Sequence, residues 1–180
     1  RRWFLSGYVA GTHVRGTREA MLEIQTNPQH YYQRPDADYL SVDSTATHLT
    51  GVNWNLRFAR ESAEHWTWNV SVEHLSPDFA VNDLGFNNQN EQIDFTGGVA
   101  YQEIEPGSLF RSWRVNLFAF HEFRTDLVDD LDSVDGWTRA YKDGNFFLNG
   151  DFEYHNNWRL DVGLDQIGRA SCRERVYCEV

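Results

Sequence analysis

The residues best equipped for chemistry lie in the polar segments between apolar runs. Asp78 and Asp83 are close enough in sequence to suggest paired carboxylates, the equipment of acid and base work on a glycan. Both also sit in turn-forming runs, Ser76-Pro77-Asp78 and Asn82-Asp83, and loop chemistry is the reading these runs favour. The segment from Asp126 to Gly136 carries five Asp in eleven residues. Clustered carboxylates in a loop can hold Ca²⁺ when their spacing builds an oxygen cage. Here Asp130 and Asp132 fit the first and third positions of an EF-hand loop, but Val134 stands at the fifth. Asp129, Asp130, Asp132 and Asp135 are therefore weak metal candidates, and a solvated loop is the expectation. The seven His form no HxH or HxxxH pair, so no zinc site is expected. No Ser-His-Asp arrangement, phosphate loop or dinucleotide fingerprint is visible. The sequence thus names no catalytic residue and no cofactor. Tyr31 and Tyr32, in a long polar segment, are the better candidates for stacking on a glycan.

Strict alternation of apolar and polar residues governs the elements that would position these groups. From about residue 47 to 60, Val52, Trp54, Leu56 and Phe58 oppose Gly51, Asn53, Asn55 and Arg57. From 65 to 75, Trp66, Trp68, Val70 and Val72 oppose Thr67, Asn69, Ser71 and Glu73. From 91 to 103, Ile93, Phe95, Val99 and Tyr101 oppose Gln92, Asp94, Thr96 and Gln102. From 110 to 124, Trp113, Val115, Leu117 and Ala119 oppose Ser112, Arg114 and Asn116, with Phe118 and Phe120 intruding on the polar side. From 137 to 154, Phe146, Leu148, Phe152 and Tyr154 oppose Asn145, Asn149, Asp151 and Glu153. From 158 on, Trp158, Leu160, Val162 and Leu164 oppose Arg159, Asp161 and Asp165. A first strand, about 2–12, alternates poorly, with Trp3, Phe4, Leu5 and Tyr8 on both sides.

These runs are about 11–18 residues long, whereas globular strands are usually about 5–6 and a membrane-crossing strand needs about 9–11. The connections alternate in length: long at about 13–46, 76–90 and 125–136, short at 61–64, 104–109 and 155–157. Long loops on one side and short turns on the other is the arrangement of outer-membrane barrels. The expected fold is all-β: an antiparallel up-and-down meander of about seven long strands, part of a transmembrane β-barrel. One short helix, Arg18 to Gln25 behind Thr17 as N-cap, is expected in the first long loop, with Met21, Leu22 and Ile24 packing on the rim. Lipid-facing residues would be Val52, Trp54, Leu56, Phe58, Trp66, Trp68, Val70, Val72, Trp113, Val115, Leu117, Phe146, Leu148, Phe152, Leu160 and Val162. Lumen-facing residues would be Asn53, Asn55, Arg57, Asn69, Glu73, Asp94, Arg114, Asn116, Asn149, Asp151 and Glu153.

Composition fits this reading. Aromatic residues make up 15% of the chain, including 7 Trp, which would anchor at headgroup level. Mean hydropathy is −0.62, and no run of about 18 apolar residues exists, so a membrane-crossing helix is excluded while a barrel is not. A net charge of −11 argues against nucleic acid as a partner. The chain opens on Arg1-Arg2-Trp3 without a signal peptide, so a missing N-terminal part is expected. Residues 1–166 form the expected partial barrel domain. Residues 167–180, holding Cys172 and Cys178, break the alternation and resemble a translated sequencing-adapter read-through; they are set apart as a non-native tail.

Two segments carry a family resemblance: Gln33-Arg34-Pro35-Asp36, and Leu75-Ser76-Pro77-Asp78-Phe79-Ala80-Val81-Asn82-Asp83-Leu84-Gly85-Phe86, with His65-Trp66 at the start of the preceding strand. They resemble the barrel domain of a bacterial family of unknown function, in which the barrel typically follows an N-terminal carbohydrate-binding domain similar to family 9 modules. The resemblance implies an outer-membrane location, with lipid and lipopolysaccharide as partners, and a role in handling glycans. It supplies no catalytic residues. The family often has a basic residue where this chain runs Asn87-Asn88-Gln89-Asn90. The functional expectation is an outer-membrane barrel piece of structural or transport type. The rival is a soluble β-sandwich that binds glycans or acts on them, which would bury Val52 and Leu148 against a second sheet.

Overall fold

The computed structural model describes residues 2–34, 37–81, 87 and 89–167, and for 128, 129 and 167 the backbone alone. Asp83, the Leu84-Gly85-Phe86 end of the second motif, Pro35-Asp36 and the cysteine-bearing tail lie outside the described residues.

Seven strands form one antiparallel sheet in sequence order: β1 Arg2–Arg15, β2 His48–Ser62, β3 Trp66–Leu75, β4 Gln92–Glu103, β5 Phe110–Phe123, β6 Tyr141–Tyr154 and β7 Arg159–Ile167. The sheet is open, with β1 and β7 each paired on one side only. The long connections all leave one end of the sheet and the short turns the other, as the alternating loop lengths require.

The first loop carries α1, Arg18–Thr26, one residue longer than expected. Its Thr17 hydroxyl accepts from Ala20 N at 3.3 Å, the N-cap bond that satisfies an otherwise orphaned amide. Met21 is buried against the rim while Leu22 is exposed. The third loop corrects the expectation of a strand starting near Trp137. Residues Val134–Ala140 form a second helix, α2, after a 3₁₀ turn over Thr125–Asp129. The physical reason is local: the Ser133 hydroxyl accepts from Gly136 N at 3.1 Å, Asp135 sits in the first turn, and Leu127, Trp137 and Ala140 find apolar partners as a folded-back unit.

Register explains the poor alternation of β1. Pairing puts Trp3, Leu5 and Val9 level with Arg60, Phe58 and Trp54, and puts Phe4 and Tyr8 level with Ala59 and Asn55 on the other face. The two misplaced aromatics have polar partners there. Tyr8 donates to Glu73 at 2.8 Å, and the Arg57 guanidinium lies 5.9 Å from the Phe4 ring centre.

Most of the buried apolar residues gather at the long-loop end: Met21, Tyr32, Ala37, Leu49, Leu75, Phe79, Ile93, Leu127 and Ala140; Ala59 and Ala100 are buried within the sheet. The apolar face of the sheet is uncovered over most of its extent. No helix among the described residues is long and apolar enough to cross a membrane.

Candidate functional site

The pairing registers carry each strand's apolar set onto a single face. Trp54, Leu56 and Phe58 stand opposite His74, Val72 and Val70. Trp66, Trp68 and Val72 stand opposite Tyr101, Val99 and Phe95. Val99 and Tyr101 stand opposite Leu117 and Val115, and Trp113, Leu117 and Ala119 stand opposite Phe152, Leu148 and Phe146. Leu148 and Phe152 then stand opposite Leu164 and Leu160, and Val162 is level with Gly150. Val52, level with Gly11, shares this face. Val52 and Leu148, which a second sheet would cover in a sandwich, are each 40% exposed.

Two aromatic belts bound this face. At the short-turn end, Trp3 stacks on Phe58 at 5.6 Å, and Trp68 meets both edge-on at 5.5 and 5.2 Å. The belt continues through Trp66–Tyr101 at 4.9 Å, Tyr101–Trp113 at 5.3 Å and Phe110–Phe152 at 5.2 Å. At the long-loop end, Trp54 stacks on His74 at 5.8 Å, and Phe95, Phe123 and Trp137 contact one another at 5.3 to 5.9 Å. Trp137 joins this cluster from α2 rather than from a strand end. Between the belts lie Leu56, Val70, Val99, Leu117, Leu148 and Val162. From Trp113 to Phe123 on β5 is ten residues, about 33 Å along the strand.

The opposite face is polar. Asn53, Asn55, Arg57, Asn69, Glu73, Asp94, Arg114, Asn116, Asn149, Asp151 and Glu153 all project from it by the same registers. Hydrogen bonds cross the strands: Asn116 to Asp151 at 3.4 Å, Arg114 to Gln102 at 3.3 Å and Arg111 to Glu153 at 3.4 Å. Phe118 and Phe147 interrupt this face, directly opposite each other and each 39% exposed.

The long loops are tied together by a buried polar knot over the rim. Gln25 pairs its side-chain amide with the backbone of Asp43, at 2.7 and 3.0 Å, bracing the first loop internally. The residues just before the first motif segment meet the second: Tyr32 donates to Asp78 and His30 Nδ1 lies 2.8 Å from Pro77 O, while Asn90 N donates to Gln29 O at 3.1 Å. The second loop folds over the polar face, where Ala80 N donates to Thr12 Oγ1 at 3.1 Å and the backbone of 78–79 lies against Gly51. A Cβ at Gly51 would stand 2.2 Å from Phe79 N, so only glycine permits this approach.

Glu91 is the centre of the knot and is fully buried. Arg34 from the first loop and Tyr39 both donate to its carboxylate, Thr125 N donates from the third loop at 2.8 Å, and Lys142 Nζ stands 4.0 Å away. Lys142 also pairs with Glu122 at 2.6 Å, and Gln89 donates to Glu122 at 2.6 Å. The backbone of Glu91 is left-handed, φ 64°, an uncommon state for a residue with a side chain and one that surrounding contacts must hold. Burial pushes the Glu91 carboxyl above its ordinary range, against the opposing pull of Lys142, the Thr125 amide and Arg34.

The remaining sequence candidates are dispersed. Tyr32 is buried with its hydroxyl committed to Asp78, which corrects the expectation that it offers a stacking face; desolvation and Asp78 push that phenol's pKa up. Tyr31 is half-buried with φ 35°. Asp130 is ion-paired with Arg139 at 2.7 Å, and Asp132 and Asp135 are exposed. The Asp129 side chain lies outside the described set. Among the described residues no three His, Cys, Asp or Glu converge as a metal site. Sequence reasoning missed Glu91, Lys142 and Asn90. Their alternation alone marks them as strand-end polar residues, and only the tertiary fold brings them under the first loop.

The chain belongs to a family described as a domain of unknown function (DUF5916), whose sequence profile matches residues 14–162. Neither the curated proteins nor the solved structures contain a significant match to it.

Proposed function

We propose that this member of an uncharacterised family forms part of the wall of a bacterial outer-membrane β-barrel, of structural or transport type. Its apolar face meets lipid, its polar face lines an aqueous lumen, the long loops face the cell exterior and the short turns face the periplasm. The observation that carries this reading is the uncovered apolar face with an aromatic belt at each margin and aliphatic residues between. In water, such a contiguous apolar surface is far larger than soluble monomers tolerate. In a bilayer it is the required surface, and Trp and Tyr belong at its two edges. The unpaired edges of β1 and β7 are long templates for pairing, and closure by further strands of the parent protein removes them. The partners implied are outer-membrane lipid and lipopolysaccharide.

The test uses topology. In the full-length protein without the 167–180 tail, Asp132→Cys in the third long loop and Asn156→Cys in a short turn are labelled on intact cells with a membrane-impermeant maleimide. Labelling of the first and not the second is expected. A protein in the soluble fraction, labelled at neither site until lysis, overturns the reading in favour of a soluble glycan-binding sheet.

A further inference from the structure

Linear spacing hides one pair of histidines that the sheet brings together. Pairing of β1 with β2 sets His13 level with Thr50 and Arg15 level with His48, so the two histidines are diagonal neighbours on one face. They stand at the foot of the first long loop, where β1 ends and β2 begins, at the margin of the apolar face. Their rings lie 5.6 Å apart between centres, tilted at 41°, and both side chains are exposed. His13 Nδ1 shares a hydrogen bond with the Thr50 hydroxyl at 2.7 Å. The other histidines are engaged elsewhere: His30 Nδ1 with Pro77 O, His155 Nε2 with Gly107 O, and His65, His74 and His121 against aromatic rings.

Two imidazoles bound to one divalent ion, with metal–nitrogen bonds of about 2.0–2.1 Å, place their ring centres about 5–6 Å apart. The observed 5.6 Å falls in that range. A ligating histidine normally fixes its second ring nitrogen on an outer partner, which sets the tautomer and aims the free lone pair. The Thr50 hydroxyl is such a partner: with the Nδ1 proton donated to it, His13 Nε2 carries the lone pair. No third His, Cys, Asp or Glu joins the pair among the described residues, so water completes the shell. Imidazole nitrogen selects copper, nickel and zinc, whereas calcium and magnesium want oxygen. We propose that His13 and His48 form a two-histidine clip for a divalent transition-metal ion, which ties β1 to β2 across the foot of the first long loop. Arg15, level with His48, opposes the charge of the ion and keeps the site weak. Half the ligands of a structural zinc site imply a Kd on the order of 10–100 µM, tightest for copper. The clip uses the β1–β2 register alone and does not rest on the barrel reading.

The experiment is calorimetric titration of the full-length protein without the 167–180 tail, whose Cys172 and Cys178 would compete for metal. It runs in detergent if the protein partitions there and in buffer if it does not. The probes are copper sulfate, zinc chloride and calcium chloride, each alone. Copper is expected to bind at a single site and more tightly than zinc, with no response to calcium. His13→Gln and His48→Gln should each weaken copper binding by about tenfold or more, and Thr50→Val by about tenfold. Arg15→Gln should tighten it by up to about fivefold, the scale of one exposed charge pair. His74→Gln and His121→Gln, on the same face, should leave it unchanged. Electron paramagnetic resonance of the copper complex should show coupling to two imidazole nitrogens, falling to one in His48→Gln. Urea midpoints without metal, equal in wild type and variants, show that the fold is intact; added zinc should raise the midpoint of the wild type and not that of His13→Gln. Copper binding that survives the double change His13→Gln with His48→Gln overturns the assignment, as does equal loss in His74→Gln or the absence of saturable copper binding.

Discussion

Leu148 and Asn149 are adjacent in sequence and opposite in consequence. Leu148 lies within the aliphatic band, opposite Leu117 on β5 and Leu164 on β7, and is already 40% exposed in the isolated sheet. In a soluble sheet, Leu148→Arg would exchange one half-exposed side chain for another at a cost within about 0.5 kcal/mol. In a bilayer the same change places a guanidinium in hydrocarbon, at about 2–4 kcal/mol near the midplane. Asn149→Arg puts the same charge on the polar face, where Asp151 lies 3.2 Å from the present amide and would welcome it. Strand propensity and unfolded-chain effects are nearly common to the two variants, so their difference isolates the solvent on each side. The expected gap is about thirty- to several-hundredfold in the folding equilibrium, since about 1.4 kcal/mol is tenfold. The assay is urea titration of the full-length protein folding into phosphatidylcholine vesicles, followed by tryptophan emission. Equal midpoints for the two variants would refute the assignment of faces.

Three further outcomes follow from the rim and the sheet. Gly51→Ala should loosen the second loop, costing about 1–3 kcal/mol by overpacking against the Phe79 backbone, whereas Gly11→Ala, with its nearest contact at 3.9 Å, should change stability by under about 0.5 kcal/mol; chemical denaturation measures both. Glu91 titrates above its ordinary 4.5, so its contribution is fully present below that value and is lost as pH rises through the raised one. Loop amides at residues 29–34 should therefore gain protection from hydrogen exchange on acidification, after correction for intrinsic rates. Glu91→Gln should flatten the profile, and loss of protection at acid pH in the wild type would reverse the sign and refute the account. Trp68→Asp should impair membrane assembly while Asn69→Asp is tolerated, as read from the yield of protease-resistant barrel in outer-membrane fractions.

The sheet was legible in the sequence because its rule has period two and acts locally. Once one face is continuous with a single solvent, each strand must obey the rule by itself, and so Leu56, Val70, Leu117 and Leu148 announce their face without reference to their neighbours. The helix at α1 was legible for a similar reason: Thr17 and the run behind it are sufficient locally. α2 was not, because Trp137 fits an alternating strand as well as it fits the helix, and the choice is made by its contacts with Phe95 and Phe123, far away in sequence. The rim knot was illegible for a stronger reason. Arg34, Glu91 and Lys142 come from three different loop bases, separated by 57 and 51 residues, and no local rule marks Glu91 as a buried, left-handed hub. The sequence did mark the two motif segments, but as unrelated stretches; Tyr32, the residue before the first, ties it to Asp78 of the second. That junction gives the family motifs a physical meaning. Residues that hold the first loop against the second fix how much of the polar face is covered at the long-loop end of the sheet. Phe79 and Ala80 lie across Gly51 and Thr12, so the cover over that end of the polar face is built onto the strands themselves.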